Sequence, residues 1–251
     1  MEVWPSRSLS SVSEIKITPE QKSAMEQVVS AFENSTTTLR YDYVENLDDG
    51  RGYTAGRCGF TTRDGDLKEV IKAYAVLNPE TPLKKFIPVL TMLNRRNSSS
   101  VSQLKDLPEL WKEASSDPDF KKAQDQVADR LYFLPAMEIV NRLNLQTQLG
   151  ALCIFDASIQ HGTDGDDGVV DMISRMGPLS QYPTEAEFLT AFLKTRRATL
   201  LRPKDPGTQA AWQDSVGRVD ALQAFVDAGN FELKTPFIIT AYGDRFTIGN
   251  P

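Results

Sequence analysis

The chain has 251 residues, 34 acidic and 28 basic, with a formal net charge of -6, 40% hydrophobic and 25% charged side chains. That is ordinary globular composition, and the length suffices for one large domain or two lobes with a sizeable core. An acidic balance argues against a nucleic-acid partner, whose footprint would be a basic field, and no apolar run is long enough to form a membrane span.

The opening residues, MEVWPSRSLSSVSEIK, are Ser-rich and lack a basic-then-apolar leader, so residues 1–17 are expected to be an arm. A secreted form is expected to have lost its leader before this sequence begins. Thr18 followed by Gln21 fits a capping box and Pro19 suits a first helical turn, so a helix starts here. Met25, Val28, Val29 and Phe32 form its apolar stripe, and Glu33, one turn after Val29, borders that stripe. Leu39 to Val44 reads as a strand, NLDDGRG as a turn and YTAGRCGF as the returning strand of a β-hairpin.

A helix follows from Asp66, with Leu67, Val70, Ile71, Tyr74 and Leu77 on one face. Short helices are expected around PLKKFIPVLTMLN and PELWKEA. The longest helical pattern covers 119–145, with a kink at Pro135. Helices at about 147–160, 185–201 and 212–228 follow, Gly229 ends the last, and FIITAYGDRFTIG closes the chain in extended form. The class is mainly α with a small β-hairpin, and the 119–145 helix is placed to connect two lobes. Cys58 and Cys153 lie in apolar surroundings; free thiols are the default, and the sequence leaves a bridge between them open. The lone histidine, His161, excludes most histidine-rich zinc sites and is expected to be a structural or cleft-rim residue. HGTDGDDG, 161–168, resembles a calcium loop only loosely, and a capped turn is the better reading.

Three of the later helices carry a charge on their apolar side. Asp156 lies among Leu152, Cys153 and Ile159. Arg196 follows Phe188 and Phe192 at helical spacing, and Arg218 precedes Leu222 and Phe225. An unpaired buried charge costs several kcal/mol, roughly, so these groups are expected to form a buried Arg–Asp–Arg cluster. One use for such a cluster is to set the position and ionisation of a catalytic acid.

Two acids suit glycoside hydrolysis, which needs one carboxyl holding its proton and one ionised. Glu33, beside apolar residues, has the setting of the first. Asp49, in the polar LDDGRG turn, has the setting of the second. Gly50 and Gly52 would allow a sugar close to the backbone, and Thr54 is placed to hold a water. A pair roughly 6.5–9.5 Å apart would invert the anomeric carbon.

These residues resemble the chitosanases of glycoside hydrolase family 46. The resemblance rests on ENS at 33–35, YVENLDDGRGYTAGRCGFTTRDGD at 43–66, FDASIQHG at 155–162 and YGD at 242–244, and it extends over nearly the whole chain. It implies a mainly α, two-lobed, lysozyme-like fold with a bent helix joining the lobes: 1–60 and 146–251 as the major lobe, 61–118 as the minor, 119–145 as the connection. It implies an endo-acting, inverting enzyme that cleaves β-1,4 linkages of glucosamine polymer, with Glu33 as general acid, Asp49 as general base and Thr54 helping to hold the attacking water. Asp156, Arg196 and Arg218 match the family's buried charge network.

Ser35, Tyr43, Arg51, Asp66 and Asp244 match substrate-touching positions. Asp66 has a physical reason: a carboxylate pairs with the glucosamine ammonium, although it also suits a helix N-cap. The loop LLRPKDPGTQ after the Arg196 helix departs from relatives that carry further acids or a histidine there. The resemblance implies a secreted monomer acting on chitosan and glucosamine oligosaccharides, with no cofactor, metal, nucleic acid or membrane partner. A muramidase and a non-catalytic polysaccharide-binding protein are the competing readings.

Overall fold

The computed structural model describes residues 14–205 and 209–249. Residues 1–13 of the expected arm, and 206–208 of the loop after the Arg196 helix, lie outside the described residues. The chain divides into two compact units, one holding the residues up to Thr38 and from Tyr132 onward, the other Leu39–Leu131. This division places residues 39–60 with the segment that follows them rather than with the first helix.

The first unit opens with α1, Pro19–Asn34. Its start follows from local chemistry: the Thr18 hydroxyl accepts from the Gln21 backbone, the Gln21 side chain accepts from the Thr18 backbone, and Pro19 loses no hydrogen bond in the first turn. Ser35 ends it in the left-handed region. The central helix, α7 (Gln148–His161), has every residue from Gln148 to Ser158 buried. A helix that is apolar nearly all round must be enclosed on all sides. Around it and α1 come α6 (Leu134–Leu143), α8 (Val169–Arg175), α9 (Glu185–Leu201), α10 (Gln209–Asp214) and α11 (Val216–Asp227). The hairpin β4 (Phe237–Ala241) and β5 (Asp244–Ile248) adds Ile239 and Ile248 to this core. Residues 212–228 are not one helix. The chain breaks at Ser215, whose hydroxyl donates to the Trp212 carbonyl, and α8 is a short helix that the sequence pattern does not announce.

The second unit holds a three-stranded antiparallel sheet of β1 (Val44–Asn46), β2 (Tyr53–Ala55) and β3 (Phe60–Thr61). The expected strand from Leu39 contributes only Val44. The Tyr41 carbonyl, which a strand would give to a neighbour, instead accepts from Trp111 Nε1 and Gln124 Nε2, both at 3.0 Å. The returning strand is split in two by the Gly56–Gly59 turn. Helices α2 (Asp66–Leu77), α3 (Ile87–Arg95), α4 (Leu107–Ala114) and α5 (Pro118–Ala128) complete the unit. Its core is organised by Trp111, Phe120 and Tyr74, with Trp111 meeting Phe120 edge to face at 4.8 Å.

The long helical pattern is interrupted, but not at Pro135. A π segment, Asp129–Phe133, separates α5 from α6, and Pro135 sits in the first turn of α6. Proline cannot donate to the residue four back and crowds its carbonyl. The turn preceding it therefore takes up the strain as a π segment.

The turn between β1 and β2 depends on two glycines with different needs. Gly50 (φ 80°) has open space where a Cβ would point, whereas a Cβ on Gly52 (φ 79°) would meet Thr62 Oγ1 and the Ser99 carbonyl. Both substitutions strain the backbone, and one adds a clash. Gly50→Ala is expected to destabilise by about 1 kcal/mol and Gly52→Ala by about 2–3 kcal/mol in urea unfolding; the reverse order would contradict this packing.

Candidate active site

In the first unit the structure brings Asp156, Arg196 and Arg218 together. All three are buried. Asp156 gives one carboxylate oxygen to each arginine: Oδ2 accepts from Arg196 Nη1 and Oδ1 from Arg218 Nη2, both at 2.6 Å. Arg218 then reaches outward, with Nη1 2.7 Å from Glu33 Oε1 and its guanidinium lying over the Phe32 ring at 5.3 Å. Helix periodicity explains the convergence. Asp156 lies on the enclosed α7, Arg196 continues the Phe188–Phe192 stripe of α9, and Arg218 lies on the buried face of α11.

Burial disfavours the Asp156 charge, but the two guanidiniums outweigh it and hold its carboxyl below the ordinary carboxylate range. Burial also opposes both arginine charges. Arg218, with Asp156 and Glu33 as partners, is raised on balance, whereas Arg196, with one acid partner and a neighbouring guanidinium, is lowered. Both remain cations, because a guanidinium is not deprotonated in proteins.

Glu33 does not have the apolar setting expected for it. It stands at the exposed end of α1, its side chain 39% accessible, paired with Arg218. Ser35 is exposed beside it, and Asp244 is exposed at the start of β5. Gln160 and His161, which the sequence pattern does not place in the cluster, hold the other two nitrogens of the Arg196 guanidinium. Gln160 Oε1 accepts from Nη2 at 2.6 Å and His161 Nε2 from Nε at 3.4 Å. The sequence offers one signal, since Gln160 lies one helical turn from Asp156 and therefore on its face.

In the second unit Asp49 occupies the glycine-rich turn. Its Oδ1 accepts from the Arg51 backbone at 3.0 Å, and its Oδ2 takes Arg51 Nε at 2.8 Å and Nη2 at 2.6 Å. Partial burial opposes its charge, but hydrogen bonds from Arg51 and the Arg51 and Arg63 charges win, so its pKa is lowered. Asp49 is thus held as a carboxylate. Thr54 lies on β2 with a buried Oγ1 that has no hydrogen-bond partner among the described residues. Buried hydroxyls are seldom left so, and water is the usual complement.

Tyr43 donates to Glu45 at 3.2 Å. Asp66 is the first residue of α2 rather than its cap, which is Gly65, and its Oδ1 accepts from the Thr61 and Leu67 backbones. Gly52 approaches the protein's own Thr62, which leaves Gly50 as the open glycine of the turn.

Cys58 and Cys153 form no disulfide with each other, and burial pushes the Cys153 thiol up. The 161–168 segment is a turn whose buried Asp167 accepts from Arg175 and the Lys204 backbone, while Lys204 Nζ reaches Asp166 and Asp171. Among the described residues no group of three or more His, Cys, Asp or Glu is arranged to hold a metal.

A mainly helical chain that holds one carboxylate on a buried charge relay and another in a glycine turn has the parts of a carboxylate-dependent glycoside hydrolase. The profile of Glycosyl hydrolase family 46 matches residues 27–237. The chitosanase of Bacillus subtilis (strain 168) is 40% identical over 234 residues, 90% of this chain and 84% of that one. Among solved structures, native chitosanase from Bacillus subtilis MY002 superposes with a TM-score of 0.86 at 38% identity, over 93% of this chain and 100% of the other. The complex of Gynuella sunshinyii GH46 chitosanase GsCsn46A with chitotetraose gives 0.85 at 41% identity, over 92% and 98%. The chain belongs to glycoside hydrolase family 46, and its fold is the family's mainly α, lysozyme-like, two-lobed class.

Breaking the Asp156 relay leaves two buried guanidiniums facing each other. Asp156→Asn is expected to cost about 3–5 kcal/mol in urea unfolding at neutral pH. Because the Asp156 pKa is depressed in the fold, its stabilisation is complete above the ordinary carboxylate range, about pH 4, and is lost as pH falls through the folded value. The difference between wild type and Asp156→Asn should therefore narrow only in strong acid; a difference already gone at about pH 5 would contradict it.

Proposed function

We propose that the protein hydrolyses β-1,4 linkages between glucosamine residues inside chitosan chains, with inversion at the anomeric carbon. The observation that carries this reading is Glu33: a half-exposed carboxyl fixed by Arg218 at the end of a buried Asp156–Arg196 relay. It stands in a chain 40% identical to a chitosanase over 90% of its length. In the proposed reaction Glu33 gives its proton to the glycosidic oxygen as the bond to C1 breaks. Asp49 takes a proton from a water that attacks C1 from the opposite face, and Thr54 Oγ1 holds that water. Glu33 ends ionised and Asp49 protonated, and exchange with solvent resets both.

The substrate is a polycation, and carboxylates are the groups that read it. Asp66 is the proposed partner of a glucosamine ammonium. Two backbone N–H groups fix its Oδ1 in place, and a carboxylate is the group that pairs with an ammonium. Ser35, Tyr43, Arg51 and Asp244 are proposed to contact the sugar chain. A polymer of this kind is met outside the cell, which supports a secreted enzyme, and a monomer acting without cofactor suffices for this chemistry.

Reducing-end release from chitosan tests the assignment. Glu33→Gln is expected to retain its circular dichroism spectrum and lose activity by about 10²–10⁴-fold; full activity in the folded variant would move the acid elsewhere. Arg51→Ala removes the side-chain hydrogen bonds and the charge of Arg51 that help depress the Asp49 pKa, while the backbone N–H at position 51 and the Arg63 charge remain. The acid limb of the kcat profile should then move to higher pH, and an unmoved or lowered limb would contradict Asp49 as base.

A further inference from the structure

Asp156 joins the two arginines by a single oxygen each. That link holds each guanidinium at one nitrogen on the Asp156 side. A second tie joins Arg196 to the start of the helix that carries Arg218. Gln160 Oε1 accepts from Arg196 Nη2 at 2.6 Å, and its Nε2 donates to Ser215 Oγ at 2.7 Å. Ser215 Oγ donates in turn to the Trp212 carbonyl at 2.7 Å, and the Ser215 carbonyl accepts from the Arg218 backbone at 3.2 Å. The amide is thus engaged at both ends, and the Ser215 hydroxyl ties it to the break between α10 and α11, three residues before Arg218.

The orientation is forced by chemistry. A guanidinium only donates, so the amide oxygen must face Arg196 and the amide nitrogen must face Ser215. His161 closes the third side of Arg196 through Nε2 and packs edge-on against Trp212 at 4.6 Å. Burial, then the charges of Arg196 and Arg218, push its pKa down to about 2, so it stays a neutral acceptor there. Each nitrogen of the Arg196 guanidinium therefore has its own partner: Asp156, Gln160 and His161.

We infer that Gln160 is a positioning residue for the reaction: its amide locks Arg196 to the turn that carries Arg218, and so fixes the Glu33 carboxyl where it must deliver its proton. The inference rests on Glu33 being the general acid. Glutamate at 160 would keep the acceptor and lose the donor, and an apolar side chain would lose both.

The test is steady-state kinetics on chitosan for Gln160→Met, Ser215→Ala, the double variant and Glu33→Gln, each checked by circular dichroism and thermal melting. For Gln160→Met, kcat should fall about tenfold to a hundredfold with KM little changed, since a misplaced acid affects the transition state and not substrate binding. Ser215→Ala should lower kcat in the same sense, and the double variant should be no slower than Gln160→Met, because both act through one link. A lowered melting temperature with unchanged kcat in both single variants would overturn the inference, as would kcat losses that multiply in the double variant. Should Gln160→Met fail to fold, Ser215→Ala decides alone. An active Glu33→Gln would overturn the reading of the acid itself. An inactive Glu33→Gln beside fully active Gln160→Met and Ser215→Ala would overturn only the link.

Discussion

One carboxylate, that of Asp156, has to satisfy two buried guanidiniums on a helix enclosed by apolar side chains. Each charge alone would cost several kcal/mol, roughly, to enclose. The arrangement is tolerable because each Asp156 oxygen meets a different arginine and because Gln160, His161 and Glu33 take donors left over. Much of the first unit follows from that requirement. It fixes the rotation of α9 through Arg196 and of α11 through Arg218, and it sets Glu33 at the end of α1 as the outermost member of the chain of charges. The hydrophobic core around α7 supplies stability, and the relay supplies direction.

The second unit holds its carboxylate in a different way. Asp49 is gripped within its own turn by the side chain and backbone of Arg51, two residues on, and the turn stands on a sheet tied down by Gln124 and Trp111 at the Tyr41 carbonyl. Local hydrogen bonds and positive charge keep that acid ionised. A hydrolase using acid and base together needs two carboxyls with opposite tasks. In the proposed reaction one of these, Glu33, is placed by long-range contacts between helices and the other, Asp49, by a short stretch of sequence, so each has its own determinants.

The same distinction explains what could be read from the sequence. The Thr18–Gln21 capping box with Pro19, the helix from Asp66 and the 185–201 helix are local patterns, and the structure has them at those positions. The charges of Asp156, Arg196 and Arg218 stand out because they break apolar stripes, and the need to pair them points to one another. Features set by tertiary contacts were not legible. Leu39–Val44 reads as a strand, but only Val44 joins β1, and the Tyr41 carbonyl goes to two side chains 70 and 83 residues away in sequence. The helix interruption precedes Pro135 because the strain falls on the turn before the proline. Glu33 borders an apolar stripe in sequence, yet Arg218, from the far end of the chain, defines its surroundings. Gln160 carries no charge, so nothing in the pattern required it to have a partner.

The central claim is that Arg218 acts through Glu33. The measurement that tests it most directly is a double-mutant cycle in kcat on chitosan, using Glu33→Gln, Arg218→Met and the two combined. If Arg218 serves only to hold the acid, its removal costs nothing further once the acid is gone, and the combined variant matches Glu33→Gln alone. If the two losses multiply, Arg218 contributes independently of Glu33, and the relay is not what positions the acid.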